Sequence, residues 1–406
     1  MKTKLSLAVA SALVTLASTA NAGIMIPAGD WTLDIGGVVN AYYTSTSFSG
    51  DNAAGTGPLG LGRGDGDTTN NITTGLLPNY LSVSGKTRQN DLDVGFTISI
   101  NPGASTENSG KQGSHQENRQ AFLTFGDKTW GSIKIGKDLG IFASDAILND
   151  MTLLGVGSGA GSLAGNTTTL GRIGSGFMYA DWKSQVAYSS PNFNGLSFTV
   201  GLTQGWNAVS TLGSATSNRR SGSQSAYEGK ASYEWAGDFG GKVWVSGISQ
   251  KVEDLGTITG SKDDRANAWD IGTTINVAGF GLTGYYGQGD GIGQTLQLWD
   301  GFDATGKSRD SDQWYVQATY ALPGVGTKLG VSYGESTLDG NRFDKDVIGI
   351  SEVEDSMWTV GAYHPITKHL NLVAEYSQSE RQVDLVGFSD AEAKAKTISL
   401  GAILFF

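Results

Sequence analysis

Strict alternation of apolar and polar residues recurs along most of this chain, and it leaves few folds open. Leu92, Val94, Phe96, Ile98 and Ile100 alternate with Asp93, Gly95, Thr97 and Ser99. Leu196, Phe198, Val200 and Leu202 alternate with Ser197, Thr199, Gly201 and Thr203, and the theme returns in Tyr227–Trp235, Trp269–Val277 and Leu370–Tyr376. A period of two over such lengths marks strands with one apolar and one polar face. Sixty glycines against seven prolines fit a turn-rich, hydrogen-bonded β protein.

The connections alternate as well. Short turns include Gln89-Asn90, Pro191 to Gly195, Ala236 to Gly240, Ala278-Gly279 and Pro323 to Gly326. Between them come long polar stretches near 47–77, 102–117, 206–226, 251–266, 290–312, 336–355 and 380–395, and a longer break in the alternation from Lys137 to Trp182. Eight long and seven short connections imply about sixteen strands, with short turns on one rim and long loops on the other. No stretch past the leader reaches the ~18 consecutive apolar residues of a spanning helix. A closed barrel is the only sheet that satisfies every backbone group in hydrocarbon, so the expected fold is a transmembrane antiparallel β-barrel. A soluble sandwich would rarely use so many long, evenly spaced loops. Aromatics at strand ends (Tyr42, Tyr43, Trp182, Tyr188, Tyr233, Trp235, Trp269, Tyr376) are expected in interfacial girdles.

The two ends of the sequence point the same way. Lys2 and Lys4, the apolar run Leu5–Ala17 and Ala20-Asn21-Ala22 read as a signal peptide over residues 1–22. Cleavage there leaves a single domain, 23–406, of 406 − 22 = 384 residues. Losing two lysines takes the net charge from −11 to −13, which argues against nucleic acid as a partner. The chain has no cysteine, so thiol and disulfide chemistry is excluded. From Lys396 the alternate residues Ile398, Leu400, Ala402, Leu404 and Phe406 form an amphipathic strand ending on an aromatic.

With Leu33–Ala41, Arg119–Gly126, Trp130–Lys137 and the terminal Phe406, the chain resembles Gram-negative general diffusion porins. The resemblance implies a homotrimer in the outer membrane, each barrel a water-filled channel for passive diffusion of small hydrophilic solutes and ions. It also implies that the third long loop, Lys137 to Trp182, folds into the lumen and narrows it. On that alignment Asp150, with Asp145 second, is the acidic loop side of the constriction. Arg119 aligns with a wall arginine, strand parity sends Lys86, Arg88 and Lys134 inward, and the resemblance implies that these four form the basic side; Lys183 is also placed inward. Lumen positions Asp91, Asp93, Glu228, Glu234, Asp270 and Glu375 tilt the balance toward cations, while the sign at the narrowest point stays open.

Other functions fit less well. The three histidines, His115, His364 and His369, have no Gly-x-Ser-x-Gly element nearby, so an enzyme is not expected. No cofactor is expected either. The alternative is a substrate-specific channel for an anion or small organic solute. It would need an aromatic path or a dense basic cluster, and Trp206, Trp299 and Tyr285 are dispersed in sequence, with Arg219-Arg220 a small basic pair. Asp65-Gly66-Asp67 and the run Glu352 to Asp355 lack full calcium-loop spacing, but as outer acids they are candidates for bridging to lipopolysaccharide through Ca²⁺ or Mg²⁺.

Overall fold

The computed structural model describes residues 23–406 apart from 52–53, 55–58, 62–64, 107–115, 163–166, 213–214 and 218–222; the expected signal peptide 1–22, His115 and Arg219-Arg220 lie outside the described residues. Sixteen antiparallel strands close into one barrel. They are β1 (Trp31–Gly50), β2 (Tyr80–Gln89), β3 (Leu92–Pro102), β4 (Ala121–Asp127), β5 (Gly131–Leu139), β6 (Trp182–Ser189), β7 (Leu196–Thr203) and β8 (Ala226–Trp235). The circuit continues through β9 (Phe239–Thr257), β10 (Gly260–Val277), β11 (Phe280–Asp290), β12 (Asp310–Ala321), β13 (Lys328–Asp339), β14 (Ile350–Pro365), β15 (Leu370–Leu385) and β16 (Ala391–Phe405). Each strand pairs with the next, and β16 returns to β1 with Val38 opposite Phe405. A short N-terminal strand, Ile24–Ala28, pairs with the lower part of β1 and prolongs the line of β16. The Gly37 amide donates to the Phe406 carbonyl at 2.7 Å, and the Phe406 amide donates back to Gly37 at 3.0 Å.

Strand parity sorts the side chains as period two requires. Val39, Leu81, Ile98, Val200, Val245, Ile271, Val331, Val360 and Leu400 are exposed on the outside. Thr44, Ser99, Ser246, Asp270, Ser332, Thr359, Glu375 and Ser399 are buried within. The outward band is bounded by aromatic pairs: Trp269–Tyr286, Trp314–Tyr333 and Trp358–Tyr376 towards the outer rim, Phe280–Tyr320 by the short turns. Two aromatics expected in the girdles point inward instead. Tyr42 is buried with its hydroxyl on the Leu154 carbonyl (2.8 Å), and Trp182 lines the lumen, because a loop occupying the interior offers both a better partner than lipid. Among the short turns, Asn90-Asp91 and Ala278-Gly279 have positive φ at both central residues (50° and 61°, 49° and 85°), the twist that two-residue hairpins demand. Asp91 therefore sits in a fully exposed turn rather than on the lumen wall.

Several stretches that read as loops are strand. In 251–266, β9 runs to Thr257 and β10 starts at Gly260, so only a two-residue turn remains. Likewise 380–395 is mostly the outer ends of β15 and β16. Beyond the bilayer neither face of a strand meets lipid, so the apolar side of the alternation disappears from the sequence while the hydrogen-bonded ladder continues.

A cross-section through the barrel is uneven: β2–β8 are 7–11 residues long, whereas β9, β10 and β14–β16 are 15–19. Between Thr68–Thr73, which also pairs with β1, and β2 the chain leaves the wall. Asn40 stabilises that departure: its amide side chain donates to the Leu77 carbonyl (2.8 Å) and accepts from Gly75 N–H (2.9 Å). Leu76 and Leu77 thereby enter the interior.

Candidate functional site

The third long loop lies inside the barrel, as the break in alternation implies. It contains a short helix, α1 (Ser144–Leu148), a 3-10 turn (Met151–Leu154) and a small hairpin, Ser158–Ser162 with Thr169–Gly171. Buried wall side chains hold it at successive points. The Glu228 carboxylate accepts from the Ile141 and Phe142 amides (both 2.8 Å), Thr203 Oγ1 (2.8 Å) and Lys183 Nζ (2.6 Å). The Tyr315 hydroxyl donates to the Ala146 carbonyl (2.9 Å), and Gln317 accepts from Met151 N–H (2.8 Å) while donating to Asn149 O (2.7 Å). On the opposite wall Glu375 accepts from the Val156 and Gly157 amides (2.7 and 2.9 Å) and from the Tyr363 hydroxyl (2.6 Å). Gly157 takes φ +58°, where a side chain would be strained, and so brings two successive amides onto one carboxylate.

Asp150 and Arg172 complete this frame. Asp150 caps the 3-10 turn by accepting from Thr152 N–H (3.0 Å), and its side chain is fully enclosed, 3.9 Å from Arg172. Arg172 also donates to the Met357 carbonyl (2.8 Å) and to Ser332 Oγ. The structure thus places Asp150 behind the loop surface, out of contact with the lumen. Asp145 is also buried, held by Lys230 of β8 (3.1 Å) and Lys242 of β9 (2.6 Å). Those two lysines keep 28 % and 19 % of their side-chain surface exposed, so the loop-to-wall charge contact faces the lumen through its cations.

The basic candidates lie at different heights. Lys86 is exposed in the lumen and Lys134 is half-buried beside it, paired with Asp138 and over the Phe122 ring at 4.9 Å. Arg119 is almost wholly buried, bonded to Glu117 (2.7 Å) and 5.9 Å from the centroid of the Trp182 ring. Arg88 lies at the short-turn rim instead, tying Asp93 (2.8 Å) to Asp127 (3.0 Å). Lys183 is enclosed against Glu228 and Gln297.

Four cavities follow one another along the β1–β8 side and share lining residues. The first, of about 400 Å³, is lined by Glu117, Arg119, Tyr179, Asp181, Trp182, Trp206, Asn207 and Trp299. Trp182 also borders the second, about 210 Å³, with Asn101, Gln120 and Phe405. Gln120, Asp34 and Ser84 pass to a third of about 610 Å³, which holds Lys86, Lys134, Asp138 and Lys230. Lys86 and Thr32 lead on to the fourth, at the rim of Arg88, Asp93 and Asp127.

The fourth and sixth long loops also turn inward. Asp300 accepts from the Thr211 and Leu212 amides (2.7 and 3.0 Å), Val209 N–H reaches the Leu298 carbonyl (3.0 Å), and Gln297 donates to the Tyr179 carbonyl (3.1 Å). Trp206 and Trp299, dispersed in sequence, thereby meet Trp182 around one cavity, which no local signal announces. Clamping by Glu228, Glu375 and Arg172 is a similar case. Strand parity turns the two glutamates inward, but only the path of the loop supplies their partners.

The chain matches the sequence pattern of the family described as Gram-negative porin over residues 8–384. It belongs to that family. Solved structures of similar fold include the outer-membrane channel DcaP of Acinetobacter baumannii (TM-score 0.65, 15% identity, 92% of this chain and 98% of that one). Others are an anion-selective porin from Comamonas acidovorans (0.61, 14%, 93% and 100%) and OmpF of Salmonella typhi in complex with daunomycin (0.58, 16%, 93% and 100%). No curated protein matches the sequence. The porin is therefore an outer-membrane channel for passive diffusion, with the all-β barrel that the alternation predicts.

Proposed function

We propose that solutes cross this porin along the β1–β8 wall, from the aromatic outer cavity past Trp182 and Arg119 into the lysine-lined lower chamber. The continuous series of cavities with shared lining residues carries this reading. Passage is limited by width and by the charges that line it. Lys86, Lys134 and Lys230 line the lower chamber together with Asp34 and Asp138, Lys134 paired with Asp138 on its own strand, so both ion signs find partners there. Asp150, the acid expected to carry the loop side, is replaced in that role by the Asp145–Lys230–Lys242 contact. The solutes are small, hydrophilic and unmodified by passage; no enzymatic step belongs to this reading.

Trp182→Ala removes the indole at the junction of the upper two cavities. Single-channel conductance in a planar bilayer is expected to rise, by about half or more for a pore whose resistance concentrates at its narrowest ring. Unchanged conductance would place the permeation path elsewhere. A homotrimer accords with the low β2–β8 wall and with the trimer form recorded for OmpT of Vibrio cholerae, a neighbour at TM-score 0.54 and 13% identity. Insertion in three equal current steps checks it.

Lipopolysaccharide bridged by Ca²⁺ or Mg²⁺ is proposed for the outer rim in a diffuse form. The run Glu352 to Asp355 is split by strand parity: Asp355 points inward to Arg381 (2.6 Å), while Glu352 and Glu354 point outward above Trp358. Among the described residues no three acidic or imidazole groups converge as a metal site. Beyond the girdle, partial burial first, then repulsion from Glu335, Glu352, Asp384 and Glu380, pushes Glu354 up to about 7. A carboxyl raised on folding adds stability below its unfolded value of about 4.5, and that contribution is lost as pH rises through about 7. The outer ends of β13–β15 are expected to open more readily at pH 8 than at pH 5, with millimolar Mg²⁺ reversing the change. Protease nicking of this rim that ignores both pH and Mg²⁺ would refute the idea.

A further inference from the structure

We infer that the outer cavity is a binding site for a neutral polyhydroxylated ring, such as one hexose unit. Its volume, about 400 Å³, lies in the range of small-molecule sites. Three indoles wall it: Trp182 at the start of β6, and Trp206 and Trp299 from the fourth and sixth long loops. Flat apolar walls of this kind take a ligand with a flat apolar face, and the hydrogen-bonding groups decide its chemistry.

Several donors in this cavity are already committed. Arg119 donates to Glu117 (2.7 Å), the Tyr179 hydroxyl (3.4 Å) and Thr167 (3.3 Å). Gln297 donates to the carbonyls of Tyr179 and Ala180 (3.1 and 3.3 Å), and the Trp182 indole N–H donates to the Tyr179 hydroxyl (2.9 Å). Unmet capacity among the described residues includes acceptors beside the Tyr179 hydroxyl, which accepts from Arg119 and Trp182 and keeps its own O–H to give. Asn207 Oδ1 is buried without a hydrogen-bond partner. Glu117 and Asp181 each use one carboxylate oxygen, on Arg119 and on the Trp182 amide (2.6 Å), which leaves the second oxygen open. A buried acceptor left unpaired is costly, so a ligand that supplies O–H donors gains there.

An anion is disfavoured because Glu117 and Asp181 place two carboxylates in the cavity against the single guanidinium of Arg119. An organic cation would seek the indole faces, but two of the rings already carry one. Lys183 Nζ stands 4.3 Å from the Trp206 centroid and Arg119 5.9 Å from that of Trp182. A second cation on the same ring meets an electron density already polarised away from it. A neutral ring with hydroxyls at its edge and C–H bonds on its face meets neither objection. The site deepens the diffusion reading above by giving the entrance a preferred solute class, and it rests on that reading only for its role in transport.

Saturation-transfer NMR on the intact porin, in a zwitterionic detergent free of sugar headgroups, tests binding apart from conductance. Titration with glucose is expected to saturate, with the sugar's C–H protons receiving the strongest transfer, while benzoate and choline do not saturate. Trp299→Leu is expected to weaken glucose binding about tenfold, the loss of one aromatic wall. Asn207→Ala, which keeps all three indoles, serves if that variant does not fold and is also expected to weaken binding. Absence of saturable transfer from glucose, or saturation by benzoate or choline instead, would overturn the assignment even if the channel conducts as proposed.

Discussion

Glu228→Ala is expected to destabilise the barrel by about 3–5 kcal/mol, the usual loss when one partner of a buried ion pair is removed. Four hydrogen bonds converge on this one carboxylate: two loop amides, Thr203 and Lys183, whose side chain has no exposed surface. With the acid gone, an ammonium is left enclosed without its counter-charge, and the amides of Ile141 and Phe142 lose their acceptor at the point where the third loop leaves the wall. Two readouts should therefore move together. The temperature at which the folded band disappears on a semi-native gel should fall, and single-channel current should become noisy, with brief closures as the loop loses its first anchor. Glu228→Gln, which keeps acceptor capacity but not charge, should fall between. Wild-type heat resistance and quiet current in Glu228→Ala would show that the loop is held elsewhere.

Asp145→Asn is expected to change ion preference more than stability. The carboxylate holds Lys230 and Lys242 at 3.1 and 2.6 Å, and Lys230 borders the lower chamber. Removing the negative charge leaves two partly exposed ammonium groups facing the permeation path. One unit charge at ~5 Å in water is worth about 0.8 kcal/mol before screening, so the anion-to-cation permeability ratio should rise about two- to fourfold at low salt and less at high salt. Reversal potentials under a potassium chloride gradient measure this directly. Asp150→Asn supplies the contrast. Its side chain is enclosed against Arg172, so it should lower heat resistance and leave the reversal potential almost unchanged. A selectivity shift in Asp150→Asn with none in Asp145→Asn would reverse the assignment.

The barrel is legible in the order of residues alone. Period two, the two kinds of connection and the amphipathic ending at Phe406 are local consequences of a sheet with lipid on one side and polar groups on the other. The same parity correctly turned Lys86, Lys134, Lys183, Glu228 and Glu375 inward, because each lies in a strand whose register the apolar face fixes. Parity says nothing about height along the strand, and this is why Arg88, inward by pattern, sits at the short-turn rim. It also fails where lipid is absent. The ends of β9, β10, β15 and β16 read as loops because water removes the need for apolar side chains while the backbone ladder persists.

The arrangement of the interior follows from long-range contacts. Asp150 and Asp145 stand five positions apart on one loop, yet one is sealed against Arg172 and the other meets two wall lysines. Nothing local separates them, since the difference arises from strands about 80 to 100 positions away in the chain. The gathering of Trp182, Trp206 and Trp299 has the same origin. The outer end of β6 and two long loops share the barrel's mouth because closure brings their strands round one ring, and side chains that cannot face lipid or wall are left to face one another.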